Sequence, residues 1–251
     1  MSNDLHSILH ADNGIVSFIG AGGKKTTMFR LAEQYGGRVG ITATAHIEFF
    51  PKELKATNYI GDEDALLSAV NKDKSSKAIA FARPSSRFGR RAGIHPDMAQ
   101  RFYDEGEFDL LLIKADGARG KFIKAPAEYE PALSSASITV IPVVSAQIIG
   151  QPLNNEIAHR VDQICKITGL KDQEEIKPVH IARLITDKHG LLKSIHDSAM
   201  IIPLINMVDD AKIEKEAKLV ATLALQMTDS FDQVILAAMK KDKPIVDVVT
   251  R

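Results

Sequence analysis

The chain has 251 residues, long enough to bury a substantial core, and its 32 lysines and arginines equal its 32 aspartates and glutamates. That balance supplies no global positive field for nucleic acid, and the absence of tryptophan removes one common stacking platform for single strands. A lone cysteine, Cys165, excludes an intramolecular disulfide and a cysteine-built zinc centre, and no apolar stretch reaches bilayer-spanning length.

With neither a basic region nor a leader-like apolar run at the N-terminus, the expectation is one cytoplasmic domain over residues 1–251. Its partners are then small ligands, with no nucleic acid and no membrane.

The first element is an apolar strand from Gly14 to Gly20 that runs into Gly20, Ala21, Gly22 and Gly23, followed by Lys24, Lys25, Thr26 and Thr27 at the head of a helix. Glycines let consecutive backbone N–H groups converge on an anion, and the helix N-terminus adds a favourable dipole. A lysine supplies charge and a threonine hydroxyl can reach magnesium.

Two registers against G-x-x-x-x-G-K-[ST] stay open. With Lys24 on the phosphates, Gly23 precedes it correctly, but Lys25 takes the hydroxyl position and no glycine stands six residues upstream. With Lys25 on the phosphates, Thr26 follows properly while Lys24 replaces the glycine. The run reads as a shortened loop, with Lys24 or Lys25 on the phosphates and Thr26 or Thr27 near the metal. A dinucleotide fingerprint fails, because Lys25 stands at its third glycine and the second strand ends without an acidic residue.

The helix extends from Lys24 to Gln34 and stops at Gly36-Gly37; a second strand covers Arg38 to Thr44, and residues 45–57 are mixed. A short helix is expected from Asp62 to Val70, a strand from Lys77 to Ala82, and a loop from Pro84 to Gly93. Arg83, Arg87, Arg90 and Arg91 form a basic cluster that reads as an anion clamp, an arginine finger or a solvated loop.

After a helix near Pro96, the run Asp109 to Ala115 has the continuous apolar character of a strand covered on both faces. Asp116-Gly117-Ala118-Arg119 follows, placing a carboxylate where it can support magnesium, or forming an ordinary Asp-Gly turn. Replacement of Asp116 by alanine is expected to abolish turnover and leave the fold intact. Arg119 and Lys124 are candidate anion binders, and Glu128 and Glu130 candidate orienting carboxylates.

Further on, strands are expected over Ile138 to Val144 and Met200 to Ile205, with a helix from Glu156 to Thr168 capped by Asn154 or Asn155. In that helix His159 and Arg160 face solvent or a cleft. A long helix spans Ala211 to Met227, and Gln233–Ala237 with Ile245–Val249 forms an antiparallel edge hairpin. Asn206 and Asp209 occupy the strand-end spacing with which GTP-binding proteins read guanine, though Met207 stands where lysine is usual; a helix cap at Asp209 or Asp210 is the other reading.

Alternating strands and helices define an α/β fold, a three-layer αβα sandwich with a mostly parallel sheet, P-loop NTPase-like. Ligands on such sheets gather at the carboxyl ends of the strands, where these motifs fall.

Taken in order, Gly20-Ala-Gly-Gly-Lys24, Thr42-Ala-Thr-Ala-His46, Lys114-Ala-Asp-Gly-Ala-Arg119 with Lys124-Ala-Pro126 and Glu130-Pro131, then His159-Arg160 and Asn206-x-x-Asp209 resemble the YqeC family of selenium-dependent hydroxylase accessory proteins. The resemblance covers almost the whole chain. It implies a cytoplasmic P-loop nucleotide-binding protein partnered with a molybdenum hydroxylase or its cofactor-maturation proteins. The family usually carries one lysine after the glycines and commonly has glutamate at the position of Lys114.

The expected chemistry is Mg2+-dependent binding of ATP or GTP, with hydrolysis or phosphoryl transfer. A small-molecule kinase or ligase, with Arg119, Lys124 and Glu128 on an acidic acceptor, and a non-hydrolysing nucleotide-gated insertion chaperone are the alternatives.

Overall fold

A computed structural model describes residues 4–251 of the protein. Its helices are α1 (Leu5–Ile8), α2 (Lys24–Gln34), α3 (Glu63–Lys72), α4 (Ala99–Glu105), α5 (Val161–Thr168), α6 (Pro178–Thr186) and α7 (Ala211–Met227). The strands of the first half are β1 (Gly14–Gly20), β2 (Val39–Ala43), β3 (Ile47–Glu48), β4 (Thr57–Ile60), β5 (Ala78–Ala82), β6 (Arg90–Arg91) and β7 (Leu110–Lys114). Those of the second half are β8 (Ile123–Lys124), β9 (Thr139–Ser145), β10 (Ala158–His159), β11 (Met200–Ile201), β12 (Leu204–Asn206), β13 (Gln233–Ala237) and β14 (Ile245–Thr250).

The main sheet has the order β14-β13-β12-β9-β1-β7-β2-β5-β4, with β11 also paired to β9. Every pairing in it is parallel except that of β14 with β13. β1 therefore lies between β9 and β7, and its residues Ile15 to Ile19 are buried because both faces are covered.

The period of two along the strands sorts them between layers. Val16, Phe18, Ile41, Leu112 and Val143 pack with Met28 and Leu31 of α2. Ile15, Leu111 and Ile113 pack on the other face with Leu66 and Val70 of α3 and Phe102 of α4. Further along that face, Val144, Ile205 and Leu236 meet α6 and α7. This is the expected three-layer α/β sandwich. No helix among the described residues is long and apolar enough to cross a membrane.

Several elements differ from the sequence reading. The expected helix over 156–168 begins only at Val161, because residues 158–159 form β10 alongside β8 and Arg160 turns the chain in a left-handed conformation, φ 70°. Asn154 caps a turn instead, its Oδ1 accepting from Glu156 N at 2.9 Å. The strand expected over 200–205 is broken into β11 and β12 just before Leu204, where Pro203 has no N–H for the ladder. The basic loop carries β6, which pairs antiparallel with β3. Helix α6, which the sequence reading did not include, starts with Pro178 at its first position.

Candidate functional site

The polar motifs meet at the carboxyl end of β1 and β7. Gly20 ends β1 at φ +88°, and a β-carbon there would stand 2.2 Å from Val143 O. Gly23, the residue before α2, has φ +134°, and its β-carbon would stand 2.0 Å from Asn206 Nδ2. Both positions require glycine, through handedness and through lack of space.

The loop divides its amides between the fold and the open side. Gly20 N donates to Asp116 Oδ2 at 2.8 Å and Ala21 N to Val143 O at 2.8 Å. Thr27 N donates to Gly23 O at 3.0 Å, closing the first turn of α2. Between them, the amides of Gly22 through Thr26 have no hydrogen-bond acceptor among the described residues. A helix N-terminus with unpaired donors carries partial positive charge and suits an anion.

The two lysines part company. Lys24 is buried, its Nζ donating to Gly20 O and lying 2.8 Å from Asp116 Oδ1. Lys25 points away from that pair and meets the Glu48 carboxylate on β3. Of the threonines, Thr27 is buried with its hydroxyl donating to Gly23 O at 3.1 Å, whereas Thr26 lies partly open at the surface beside Phe29 and Arg30.

Asp116 follows β7 and is buried between ammonium groups. Lys124 Nζ lies 2.9 Å from its Oδ2 and also donates to Gly117 O at 2.8 Å and Glu130 Oε2 at 2.6 Å. Arg160 closes the chain of charges on Glu130 at 2.8 Å and donates to Ala125 O at 3.0 Å, which holds its left-handed backbone in place. Burial alone would raise the Asp116 carboxyl, but Lys24 and Lys124 together hold it below the usual carboxylate range.

Lys124 is thus a member of a buried network rather than an open anion binder. Glu130 and Arg160 belong to that network too, and the expected cleft-facing Arg160 is accounted for by it. Arg119 is exposed, with no ion-pair partner among the described residues, and Glu128 is exposed as well.

Asn206 is buried and spends its amide on the backbone, Nδ2 donating to Gly22 O at 2.9 Å and Oδ1 accepting from Met239 N at 3.1 Å. It ties the glycine loop to the chain just beyond β13. Asp209 is exposed, accepting from Gln147 Nε2 at 3.0 Å; the cap of α7 is Asp210, which accepts from Ile213 N at 2.9 Å.

Two further groups were not singled out for a role by sequence reading. Lys114, the last residue of β7, is buried and donates to His46 O at 2.8 Å; burial, then the charge of Lys24, pushes it down to about 7. Its only sequence signal is a lysine ending an otherwise apolar run.

His159, on β10 beside Lys124, is pushed down to about 4 by burial, then by the charges of Arg160, Lys124 and Arg119. The folded protein keeps it neutral while the unfolded chain takes up a proton below the ordinary value of 6.5. Its contribution is complete above pH 6.5 and lost as pH falls towards 4. His159→Asn is expected to remove about 1 kcal/mol of that acid-side loss, allowing for partial exposure. The readout is a flatter profile of Tm against pH between 6.5 and 4, and an unchanged profile would take His159 out of the acid response.

An apolar strand, a glycine loop, a lysine-led helix and a carboxylate at the end of the adjacent strand come together in a three-layer α/β protein with a mostly parallel sheet. A family model described as YqeC protein matches residues 16–162, and the chain belongs to the YqeC family. The relative named Uncharacterized protein YqeC, from Escherichia coli (strain K12), is 31% identical over 195 residues, covering 76% of this chain and 75% of that protein. Among solved structures, the crystal structure of HypB from Helicobacter pylori in complex with nickel aligns over 94% of this chain and 84% of its own, at TM-score 0.40 and 12% identity.

Proposed function

We propose that the protein binds the triphosphate of ATP or GTP on the loop Gly20–Lys24 and cleaves or transfers its terminal phosphoryl group, as an accessory factor in maturing selenium-dependent molybdenum hydroxylases. The observation that carries the nucleotide reading is the run of unpaired amides from Gly22 to Thr26 around the buried ammonium of Lys24. Family membership supports the accessory role.

Lys24, rather than Lys25, is the phosphate lysine in this reading, since it alone sits across the loop. On anion binding its ammonium moves from Asp116 and Gly20 O to the phosphate oxygens. Amide donors and Lys24 then stabilise charge that builds on the phosphates as the terminal bond breaks. Arg119 is close in sequence to Asp116 and exposed, with no ion-pair partner among the described residues, which makes it the candidate second cation for the same anion.

Asp116 fits a magnesium ion: its buried Oδ1 receives no aligned hydrogen bond and faces only Lys24 Nζ, so it becomes an open acceptor when Lys24 moves. Mg2+ needs one or two protein oxygens besides phosphate and water, and Asp116 would supply one; with Lys24 on the phosphates the next residue is Lys25, which has no oxygen ligand, and Thr26 lies at the surface beside Phe29 and Arg30. When bound, the ion would neutralise phosphate oxygens and fix their orientation. Base selection rests on Asp209, since Asn206 is committed to Gly22 and Met239.

The test is calorimetric titration with ATP and GTP, with and without Mg2+. Lys24→Ala is expected to weaken binding at least about 100-fold, the loss of a charge-assisted contact of about 3 kcal/mol, while Lys25→Ala stays within about fivefold. Folded wild-type protein that binds neither nucleotide would overturn the reading.

A further inference from the structure

The chain leaving β2 folds into a ribbon in which β3 pairs with β6, Ile47 opposite Arg91 and Glu48 opposite Arg90. This ribbon is joined to the site by Thr44 N on Lys114 O at 3.1 Å, by Lys114 Nζ on His46 O, and by the Lys25–Glu48 pair.

Charge is unevenly shared across the loop. On the Lys124 side, cations alternate with Asp116 and Glu130. On the ribbon side, Glu48 is the carboxylate that faces Lys25, Arg90 and Lys114, with Arg90 Nη1 at 2.9 Å from it. Arg83 is drawn off to Glu63 and Arg91 lies over the Phe49 ring at 4.5 Å. Arg87 has no carboxylate within ion-pair distance among the described residues.

Lys114 is the decisive member, because a buried lysine whose one hydrogen bond goes to a neutral carbonyl is driven towards its neutral form and takes up its full charge when an anion joins it. The groups facing it are Lys24 and Lys25 from α2, Asp116 beyond β7, Lys124 from β8, and His46 and Glu48 from the ribbon. Asp116 is already shared by Lys24 and Lys124. His46 is pushed down by burial, then by Arg87, Lys114 and Arg90, which places all four within one electrostatic neighbourhood.

We propose that the junction of the glycine loop with the β3/β6 ribbon is a second anion subsite, backed by the buried Lys114 and flanked by His46, Arg87 and Arg90, that receives the oxyanion group of a small acidic co-substrate. The proposal builds on the nucleotide reading and names the class of molecule that meets the nucleotide. Oxyanion ligands come as phosphate esters or as carboxylates, and both are held by the same donors.

The experiment uses full-length protein saturated with Mg2+ and a non-hydrolysable ATP analogue, to which sodium phosphate or sodium succinate is added against sodium chloride at matched ionic strength. One of the two anions is expected to raise Tm by about 3–6 °C at about tenfold excess over its Kd. The effective anion names the class. Lys114→Met and the double variant Arg87→Gln/Arg90→Gln are expected to lose that gain while holding analogue affinity within about threefold of wild type.

No gain over chloride with either anion, or a gain that persists in both variants, would overturn the subsite. If the analogue does not bind, the nucleotide reading fails separately. The same anion series on the empty protein, comparing wild type, Lys24→Ala and Arg87→Gln/Arg90→Gln, then decides the subsite: loss in the arginine variant alone supports it, and loss in Lys24→Ala alone overturns it.

Discussion

Asp116→Ala is expected to cost the fold about 3–5 kcal/mol and to abolish turnover at the same time. In the native protein its carboxylate is buried between Lys24 and Lys124 and also accepts from Gly20 N. Removing it leaves Lys24 with only a carbonyl partner, while Lys124 keeps Glu130. The penalty comes from stranded buried charge rather than from lost volume.

Seen only as a metal-supporting side chain at the end of a strand, Asp116 would be removable without harm to the fold; burial between two ammonium groups makes it structural as well. The double variant Asp116→Ala/Lys24→Met separates the roles. Deleting both partners removes the stranded charge, so most of the stability is expected to return while turnover stays absent. Denaturant midpoints and phosphate release measured on the same preparations decide it. An Asp116→Ala protein with a wild-type midpoint would mean that the buried pair contributes nothing to the fold.

Gly23→Ala carries the second large effect, a loss of about 3–4 kcal/mol with a collapse of nucleotide affinity. The new β-carbon would meet Asn206 Nδ2 at 2.0 Å on a backbone at φ +134°, so overpacking and backbone strain add. Asn206→Ala by itself is expected to cost about 2–3 kcal/mol, since Gly22 O and Met239 N lose their buried partner. In the double variant the clash is gone and the strain remains. Its cost should therefore fall below the sum of the singles by about 1–2 kcal/mol, a coupling read from urea midpoints. Strict additivity would show that the amide does not press on the loop.

Local chemistry made much of the fold legible. The spacing of apolar residues and the Gly36-Gly37 stop placed α2 at Lys24–Gln34, and periodicity alone placed α7 at Ala211–Met227, as observed. Continuous apolar runs marked β7 and β9 as doubly covered strands, and the edge hairpin β13/β14 followed from two short β-rich runs at the chain's end. Where pairing across distance decides, the pattern misled: Ala158 and His159 lie in a helical-looking stretch but pair with Ile123 and Lys124, and Arg160 breaks the helix before it starts.

The order of glycine loop, strand-end Asp116 and Asn206-x-x-Asp209 is written in the sequence, because strand ends and helix starts depend on neighbours a few residues away. Which lysine enters the loop is not, for Lys24 and Lys25 are adjacent and chemically alike. Tertiary structure parts them, since successive positions at a helix start point in different directions and only Lys24 finds Asp116, 92 residues further on. The same holds for Lys124, Glu130 and Arg160, and for Lys114 on His46 O: whether a charged side chain meets water, a counter-ion or a backbone carbonyl depends on which strands the sheet sets side by side.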